Sequence, residues 1–304
     1  MSLSPNIVKP TTFLSPEKLI TAFGLDLTIA SETFQHTGSF KFRAAYNLAN
    51  KVSNEHIITS SSGNFGQALA YACKIFGKRC HVVMPNTSAR VKVEAVENYG
   101  ATAVLTDVKL CGREERVNQL IEEFPEAYRA SPYDDPYVIE GNATLGAEIA
   151  AFDSDFDYIV VPIGGGGLIS GILKGIKDSG SKAIVIGAEP ALANDAARSL
   201  KAGELVKNES EPQTIADGAR TLSLGKRNWA IIKDELSEII QVPDDAIKSA
   251  LQSYFVLANL KVEPTGAVSL GAILTEAEKF NNKKTCVIVS GGNVDAAVFA
   301  ALIK

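Results

Sequence analysis

The stretch YIVVPIGGGGLISGILK, residues 158–174, joins an apolar run to a helical pattern through four consecutive glycines. We predict a strand over 157–163 and a helix over 168–177. The unbroken apolar run is typical of a strand buried on both faces of a parallel sheet. Four glycines cost more backbone entropy than a plain flexible turn requires. We therefore interpret the run as a cradle whose backbone N–H groups bind a phosphate, with the plain turn as the alternative.

Two familiar phosphate motifs do not describe this turn. Counting from Gly164, the third glycine of a GxGxxG fingerprint would fall at Ile169, and the chain contains no GxxxxGK[ST] sequence. A dinucleotide fingerprint and a P-loop are therefore excluded.

The same order of strand, turn and helix is predicted on both sides of this stretch. Alternating strands and helices predict parallel sheets with right-handed crossovers, arranged as two α/β lobes with a cleft between them. We expect the segment 195–217, which is polar, to be rich in loops. The other predicted strands are 56–60, 79–84, 101–106, 182–188 and 285–289, and the other predicted helices are 43–51, 66–76, 88–99, 113–124, 228–240, 244–260 and 294–303.

Composition limits the class of protein. The 304 residues are 46% hydrophobic and 21% charged, with a formal net charge of −5, which argues against nucleic-acid and anionic-membrane partners. The four cysteines form no CxxC pair and there are only three histidines, so a disulfide scaffold and a Cys- or His-based metal module are disfavoured. With no apolar signal segment near the N-terminus, we expect a cytoplasmic protein.

Two further turns resemble the glycine run in construction. SSGNFG (61–66) and SGGN (290–293) each follow a predicted buried strand and precede a helix start. Helix N-termini offer free N–H groups and partial positive charge, and in parallel sheets such turns lie where ligands bind. At Ser290 the alternative is a helix N-cap, and at Asn64 it is a left-handed turn residue. Three such turns in one chain indicate an anionic ligand with several anchor points.

The segment TGSFKFR (37–43) supplies the reactive group. Lys41 lies at a predicted helix start between Phe40 and Phe42, and both desolvation and the helix terminus lower a lysine pKa. A neutral lysine amine attacks carbonyl groups. A lone lysine is usually a solvated surface group, but beside a phosphate cradle this one indicates a covalent link to pyridoxal 5′-phosphate (PLP).

With these motifs in place, the chain resembles the fold-type II PLP enzymes, in particular the serine/threonine dehydratase and serine racemase branch. The resemblance covers nearly the whole chain. It implies a two-lobed, tryptophan synthase β-like α/β architecture with parallel sheets and helices on both faces. It also implies a large PLP-binding domain (1–50 and 133–304), a small domain (51–132) and a homodimer. The motifs that carry it are TGSFKFR, SSGNFGQA (61–68), GGGG (164–167), AEP (188–190), IADG (215–218), EPTGA (263–267) and SGGN.

The resemblance assigns roles position by position. Lys41 would hold PLP covalently, Phe40 would pack beside its ring, Asn64 would bind its phenolic oxygen, and Ser290 would bind its pyridine nitrogen. The phosphate would be bound by Gly164, Gly165, Gly166 and Gly167 with the N–H of Leu168, and the substrate carboxylate by Ser61, Ser62 and Asn64.

The expected reaction is β-elimination of a 3-hydroxy amino acid such as L-serine or L-threonine, giving a 2-oxo acid and ammonia. Lys41 would remove the Cα proton, and Ser62 matches the position that exchanges this proton on the opposite face in the racemase. The alternatives are an amino-acid racemase and a 3-hydroxyaspartate dehydratase. A cysteine synthase-type enzyme and a catalytically silent module that senses an amino acid or nucleotide are disfavoured.

A divalent-cation site is predicted in EPALAND (189–195). The carboxylates of Glu189 and Asp195 and the carbonyl of Ala193 would suit Mg²⁺, Ca²⁺ or Mn²⁺, which prefer oxygen ligands. This matches the cation site of the racemase-like branch in spacing and residue type. A strand-end glutamate and a helix-cap aspartate are the structural alternative.

Two positions depart from the family pattern. Phe65 stands where the family usually has histidine, which favours a more apolar substrate side chain. The stretch Glu140-Gly141-Asn142-Ala143-Thr144 replaces an AGQGT-like sequence, and we expect Glu140 to add a charge close to the cleft, which would allow a basic substrate.

Overall fold

A computed structural model describes residues 7–304 of the chain. The strands of this part are β1 (Thr12–Leu14), β2 (Leu27–Ser31), β3 (His56–Ser60), β4 (Arg79–Pro85), β5 (Thr102–Thr106), β6 (Tyr128–Ala130), β7 (Tyr158–Pro162), β8 (Ile184–Pro190), β9 (Ile239–Val242) and β10 (Thr285–Val289). The helices are α1 (Glu17–Phe23), α2 (Lys41–Lys51), α3 (Asn64–Phe76), α4 (Arg90–Glu97), α5 (Arg113–Glu123), α6 (Pro136–Phe152), α7 (Gly167–Asp178), α8 (Asp195–Ala202), α9 (Lys226–Glu235), α10 (Asp244–Ala258), α11 (Pro264–Thr275) and α12 (Ala296–Leu302).

The strands form two sheets. The larger has the order β1-β2-β10-β7-β8-β9, and only the edge strand β1 runs antiparallel to its neighbour. The smaller has the order β5-β4-β3-β6 and is parallel throughout. The predicted α/β class with parallel sheets is confirmed.

Helices cover both faces of the larger sheet, as predicted. Along β10, Val287 and Val289 belong to one hydrophobic core, whereas Cys286 and Ile288 belong to another. Alternate side chains of a strand point to opposite faces, so each face of this sheet is buried under its own layer of helices. This explains why the strand sequences are apolar without alternation.

The helix α2 packs away from the larger sheet. Its buried residues Phe42, Ala44 and Leu48 lie in the core of the smaller sheet, with Ile57 of β3 and Val82 of β4. Lys41 is thus the first residue of a helix that packs in the core of the smaller sheet. The boundaries at 50/51 and 132/133 stay predictions, while the four strands of the smaller sheet lie between residues 56 and 130.

Two predicted segments have a different structure, and the prediction contains no counterpart of β1, β2, β6, α1, α6 and α11. The helix predicted over 228–240 ends at Glu235, and Ile239–Val242 pairs with β8 as a parallel edge strand. The β-branched residues at 239, 240 and 242 favour the pleated, half-buried surface of a strand. The segment 195–217, predicted as loop, begins with the two-turn helix α8, whose buried face is formed by Asp195, Ala196 and Ser199. No helix in the described part is long and apolar enough to cross a membrane.

Candidate active site

The three turns singled out in the sequence follow β3, β7 and β10. The Phe40 N–H donates to the Ser290 carbonyl at 2.9 Å, and Ser39 forms an isolated bridge with Gly291. Asn293 donates to the Asn64 side-chain oxygen at 2.9 Å. These contacts bring the first and third turns against the segment that carries Lys41.

Lys41 lies at the N-terminus of α2 with its amine 2.7 Å from the Pro132 carbonyl oxygen. The ammonium lies 5.0 Å from the Phe40 ring centroid and 5.7 Å from that of Phe65. Desolvation lowers the pKa of Lys41 to about 8, although the nearby Glu263 acts in the opposite direction. The amine is therefore available as a neutral nucleophile at mildly alkaline pH.

The prediction that Phe42 lies beside the Lys41 amine is wrong. Phe42 turns away from the Lys41 amine into the smaller core, where its ring packs against His36 at 4.9 Å and Tyr71 at 5.4 Å. Successive residues of a helix point about 100° apart, so the two neighbours of Lys41 cannot both cover it. Phe65, at the start of α3 and 2% exposed, takes that place.

The glycine run has the shape of a cradle. A Cβ at Gly165 would lie 2.4 Å from the Tyr133 ring, and one at Gly167 would lie 2.8 Å from the Tyr133 carbonyl oxygen. Gly166 has φ of +89°, a conformation open mainly to glycine. None of the N–H groups from Gly164 to Leu168 donates a hydrogen bond to any atom of residues 7–304. Five unpartnered N–H groups at the start of α7 suit a phosphate.

Ser290 directly follows β10 and is 1% exposed. Its hydroxyl is buried and has no hydrogen-bond partner among the described residues. The alternative role as a helix cap does not apply, because Asp295 caps α12 by accepting from the N–H groups of Ala297 and Val298. A buried, unpartnered hydroxyl in this position fits the nitrogen of a pyridine ring.

The N-terminus of α3 offers a second place for an anion. The Ser61 hydroxyl accepts from the Gly66 N–H at 3.1 Å, and the Ser62 hydroxyl forms no hydrogen bond within the described chain. Asn64 is the first helical residue and does not have a positive φ, so its left-handed alternative is wrong. The free hydroxyl and the helix terminus fit a carboxylate.

Sequence reasoning missed Glu263, which accepts from the Asn64 amide at 2.8 and 3.1 Å. Desolvation raises the pKa of Glu263 to about 7, and the Asn64 hydrogen bond opposes the shift. Glu263 belongs to the EPTGA motif quoted above. Its partner Asn64 is 199 residues away in the sequence, so no local sequence pattern predicts their contact.

A second missed feature is the segment 131–135 that follows β6. Pro132 accepts from Lys41, Tyr133 covers the glycine run, and Asp134 caps α9 by accepting from the N–H groups of Lys226 and Arg227. The sequence Asp134-Asp135-Pro136 predicts a helix start, and α6 begins at Pro136 with Asp135 as its N-cap. Nothing local signals its contact with the glycines.

The predicted cation ligands come together at the end of β8. Glu189 and Asp195 are each 1% exposed, and one oxygen of Asp195 is buried with no partner. Desolvation and the neighbouring Asp195 raise the pKa of Glu189 to about 8, and desolvation raises that of Asp195 to about 6. Ala193 lies in the intervening 3₁₀ turn. Within residues 7–304 no cluster of three His, Cys, Asp or Glu side chains forms a metal site, so a cation here would need carbonyl or water ligands as well.

The expectation that Glu140 places a charge close to the cleft is wrong. Glu140 is exposed on α6 and lies 3.2 Å from Lys51, at the far end of α2 from Lys41. On a helix the side chain direction changes by about 100° per residue, and Gly141 rather than Glu140 faces α2 closely. The charge therefore gives no support for a basic substrate.

Comparison with known proteins agrees with this geometry. The family model described as pyridoxal-phosphate dependent enzyme matches residues 5–291. Serine racemase of Mus musculus is 38% identical over 282 residues, 90% of this chain and 83% of the relative. L-threo-3-hydroxyaspartate ammonia-lyase of Saccharomyces cerevisiae is 34% identical over 301 residues, 98% of this chain and 92% of the relative.

A solved structure of threonine deaminase from T.th. superposes with a TM-score of 0.89 at 36% identity, covering 95% of this chain and 94% of that one. The buried lysine amine, the glycine cradle and the unpartnered serine hydroxyl fit PLP, and the family match covers all three. The chain therefore belongs to the pyridoxal-phosphate dependent enzymes, in the serine/threonine dehydratase and serine racemase branch.

Proposed function

We propose that this enzyme eliminates water from a 3-hydroxy amino acid, L-serine or L-threonine, and releases a 2-oxo acid and ammonia. The observation that carries the proposal is the uncharged Ser290 hydroxyl behind the Lys41 segment. A serine cannot keep a pyridine nitrogen protonated by charge pairing as an aspartate would. Such a ring is a weaker electron sink, which suits loss of a β-leaving group better than transamination.

Different residues would bind the substrate and remove its Cα proton. Ser61, Ser62 and the α3 terminus bind the substrate carboxylate and orient the Cα–H bond toward Lys41. The neutral Lys41 amine takes the Cα proton. Bound PLP supplies a ring that stabilises negative charge at Cα. The β-hydroxyl and the proton taken from Cα leave as one water, and a second water then replaces the amino group, so the products are one 2-oxo acid and one ammonia.

A panel of 3-hydroxy amino acids tests this function. The purified holoenzyme is assayed with L-serine, L-threonine and 3-hydroxyaspartate for 2-oxo acid and for the D-enantiomer. We expect 2-oxo acid from the first two in preference to the third, because the apolar Phe65 lies beside the Lys41 amine. A preference for 3-hydroxyaspartate would support the dehydratase alternative, and D-enantiomer without 2-oxo acid would contradict the proposal.

Substitution of Lys41 is the matched test of the site. Lys41→Ala should lose both turnover and the visible absorbance of bound PLP. Lys51→Ala, at the exposed end of the same helix, should keep both. Turnover that survives in Lys41→Ala would refute its assigned role.

Racemisation is the second candidate activity, and the free Ser62 hydroxyl favours it. A group that delivers a proton to the face of Cα opposite Lys41 must be free to approach Cα, and Ser62 is partly exposed with no hydrogen-bond partner in the described chain. Ser62→Ala should lower D-serine formation more than 2-oxo acid formation from L-serine. Equal loss of both would mean that Ser62 only binds the carboxylate.

We further propose a homodimer. Phe255 and Val256 on α10 and Val298 on α12 are exposed on neighbouring helices, and burial of such side chains stabilises association. Sedimentation should give a mass of twice the 32.3 kDa chain.

A further inference from the structure

Two carbonyl groups of the glycine run, those of Gly165 and Gly167, accept hydrogen bonds from neighbouring residues. The Gly165 oxygen accepts from the Asn228 side-chain amide at 2.7 Å and from the Gly225 N–H at 3.1 Å. The Gly167 oxygen accepts from the Asn142 side-chain amide at 3.0 Å. Two buried carboxamides thus hold the carbonyl side of a loop whose N–H groups stay unpaired.

Fixing a carbonyl also fixes the next N–H group. In a planar trans peptide the C=O of one residue and the N–H of the next point in opposite directions. The Asn228 bond to Gly165 therefore sets the direction of the Gly166 N–H. A glycine run has no side chains to restrict its backbone, so this orientation depends on outside contacts.

Asn228 makes a second bond that joins the loop to its cover. The same amide nitrogen donates to the Tyr133 carbonyl at 3.0 Å, and the Tyr133 ring packs on Gly165. Both acceptors are carbonyl oxygens, so only the nitrogen of Asn228 can face them. Its oxygen is buried without a partner in the described chain, a cost that packing alone does not explain.

We propose that Asn228 is a positioning residue for the cofactor phosphate: by holding the Gly165 carbonyl it turns the Gly166 N–H toward the phosphate, and by holding the Tyr133 carbonyl it keeps the Tyr133 cover on the glycine run. The proposal rests on the PLP site of the proposed function. It concerns the phosphate end alone, and it assigns Asn228 no contact with the reacting atoms.

The test compares two ligands of the apoprotein, PLP and pyridoxal, which lacks the phosphate. Dissociation constants are measured by fluorescence titration for the wild type, for Asn228→Asp, which keeps the shape but replaces the donor with a negative charge, and for Asn228→Ser, which shortens the side chain, keeps one donor and adds no charge, so that a change in the ratio in Asn228→Ser cannot come from charge repulsion. Leu236→Ala is the control, since Leu236 is a buried residue at the far end of α9.

We expect Asn228→Asp to weaken PLP about tenfold or more and to leave pyridoxal within twofold, with Asn228→Ser between it and the wild type. The ³¹P resonance of bound PLP should also shift in both variants. Leu236→Ala should lower stability without changing the ratio of the two dissociation constants.

Equal weakening of both ligands, or no weakening, would overturn the proposal. If Asn228→Asp does not fold, Asn228→Ser decides by the same ratio. A wild-type protein that binds PLP more tightly than pyridoxal but turns over no hydroxy amino acid would refute the proposed reaction and leave the role of Asn228 standing.

Discussion

The Lys41 amine is a weak base in this protein because of its surroundings. Two aromatic rings and the start of α2 lie around it, and within residues 7–304 its one hydrogen-bond acceptor is the neutral Pro132 carbonyl. The Glu263 carboxylate raises the pKa of Lys41, but burial favours the neutral form of that carboxyl too. The site thus disfavours charge on both groups before any ligand binds.

This environment predicts the pH dependence of cofactor uptake. Only the neutral amine attacks the PLP aldehyde, and a folded-state pKa of about 8 makes half of it neutral near that pH. The rate of PLP uptake by the apoprotein should rise with pH to a midpoint near 8, as followed by stopped-flow absorbance. Phe65→Ala admits water and should move the midpoint upward. A wild-type midpoint near the ordinary lysine value of 10.5 would contradict this account.

The residues that sequence reasoning found share one property. Lys41, Ser290 and the glycine run each lie in a local pattern of strand, turn and helix that a reader can detect without knowing the fold. Glu263, Tyr133 and Asn228 act through contacts with residues far away in the chain. Such partners depend on how the sheets assemble, which local patterns do not specify.

At the scale of elements, two of the missed helices give a weak sequence signal, although one face of α6 is exposed at Glu140, Thr144 and Ala147. α6 and α11 have apolar residues on every side, and neither shows the one-sided stripe that predicts a surface helix. α6 packs on α7 through glycines: a Cβ at Gly175 would lie 2.2 Å from the Ala143 carbonyl oxygen. By contrast, β3 and β10 have the predicted bounds, because their β-branched runs end at turn residues.

The junction of β8 and α8 carries a prediction about metal. Two buried carboxyls with raised pKa values destabilise the apo form when ionised, and a divalent cation would relieve both. EDTA should therefore lower the melting temperature of the wild type, and Mg²⁺, Ca²⁺ or Mn²⁺ should restore it. A ligand at 100 times its Kd adds about 2.7 kcal/mol of stability.

Two variants separate this site from general effects of chelation. Asp195→Asn should make the melting temperature insensitive to EDTA, whereas Glu209→Gln, an exposed carboxyl nearby, should respond like the wild type. A wild-type melting temperature that EDTA leaves unchanged, in protein free of bound metal, would count against the site.

At the scale of the molecule, Arg43 joins parts of the chain that are distant in sequence. Its guanidinium donates to Glu32 at 2.8 and 3.0 Å and to Glu148 at 2.7 and 2.9 Å. It also donates to the Thr11 hydroxyl at 2.9 Å. The cluster ties the end of β2, helix α6 and the N-terminal strand region to the helix that begins with Lys41.

Loss of this cluster should be costly. Arg43→Met would leave the buried Glu32 without its charge partner, and breaking a buried pair in this way costs about 3–5 kcal/mol. Arg79→Met removes an exposed pair with Glu126 at 2.9 Å and should cost less than about 1 kcal/mol. Urea unfolding of the apoproteins measures both, and similar losses in the two variants would contradict the assigned role of Arg43.

The central position of β10 has a consequence for biosynthesis. This strand lies between β2 and β7, and it is followed by the buried Ser290, which we propose as part of the cofactor site. The N-terminal part of a chain leaves the ribosome first. β2 and β7, which precede Lys41 and the glycine run, therefore emerge long before β10, the strand that lies between them in the sheet. Nascent chains that stop short of residue 285 should therefore expose an unfilled gap in the sheet to chaperones, and, with Ser290 in the proposed cofactor site, we expect PLP capture only after this strand has joined the sheet.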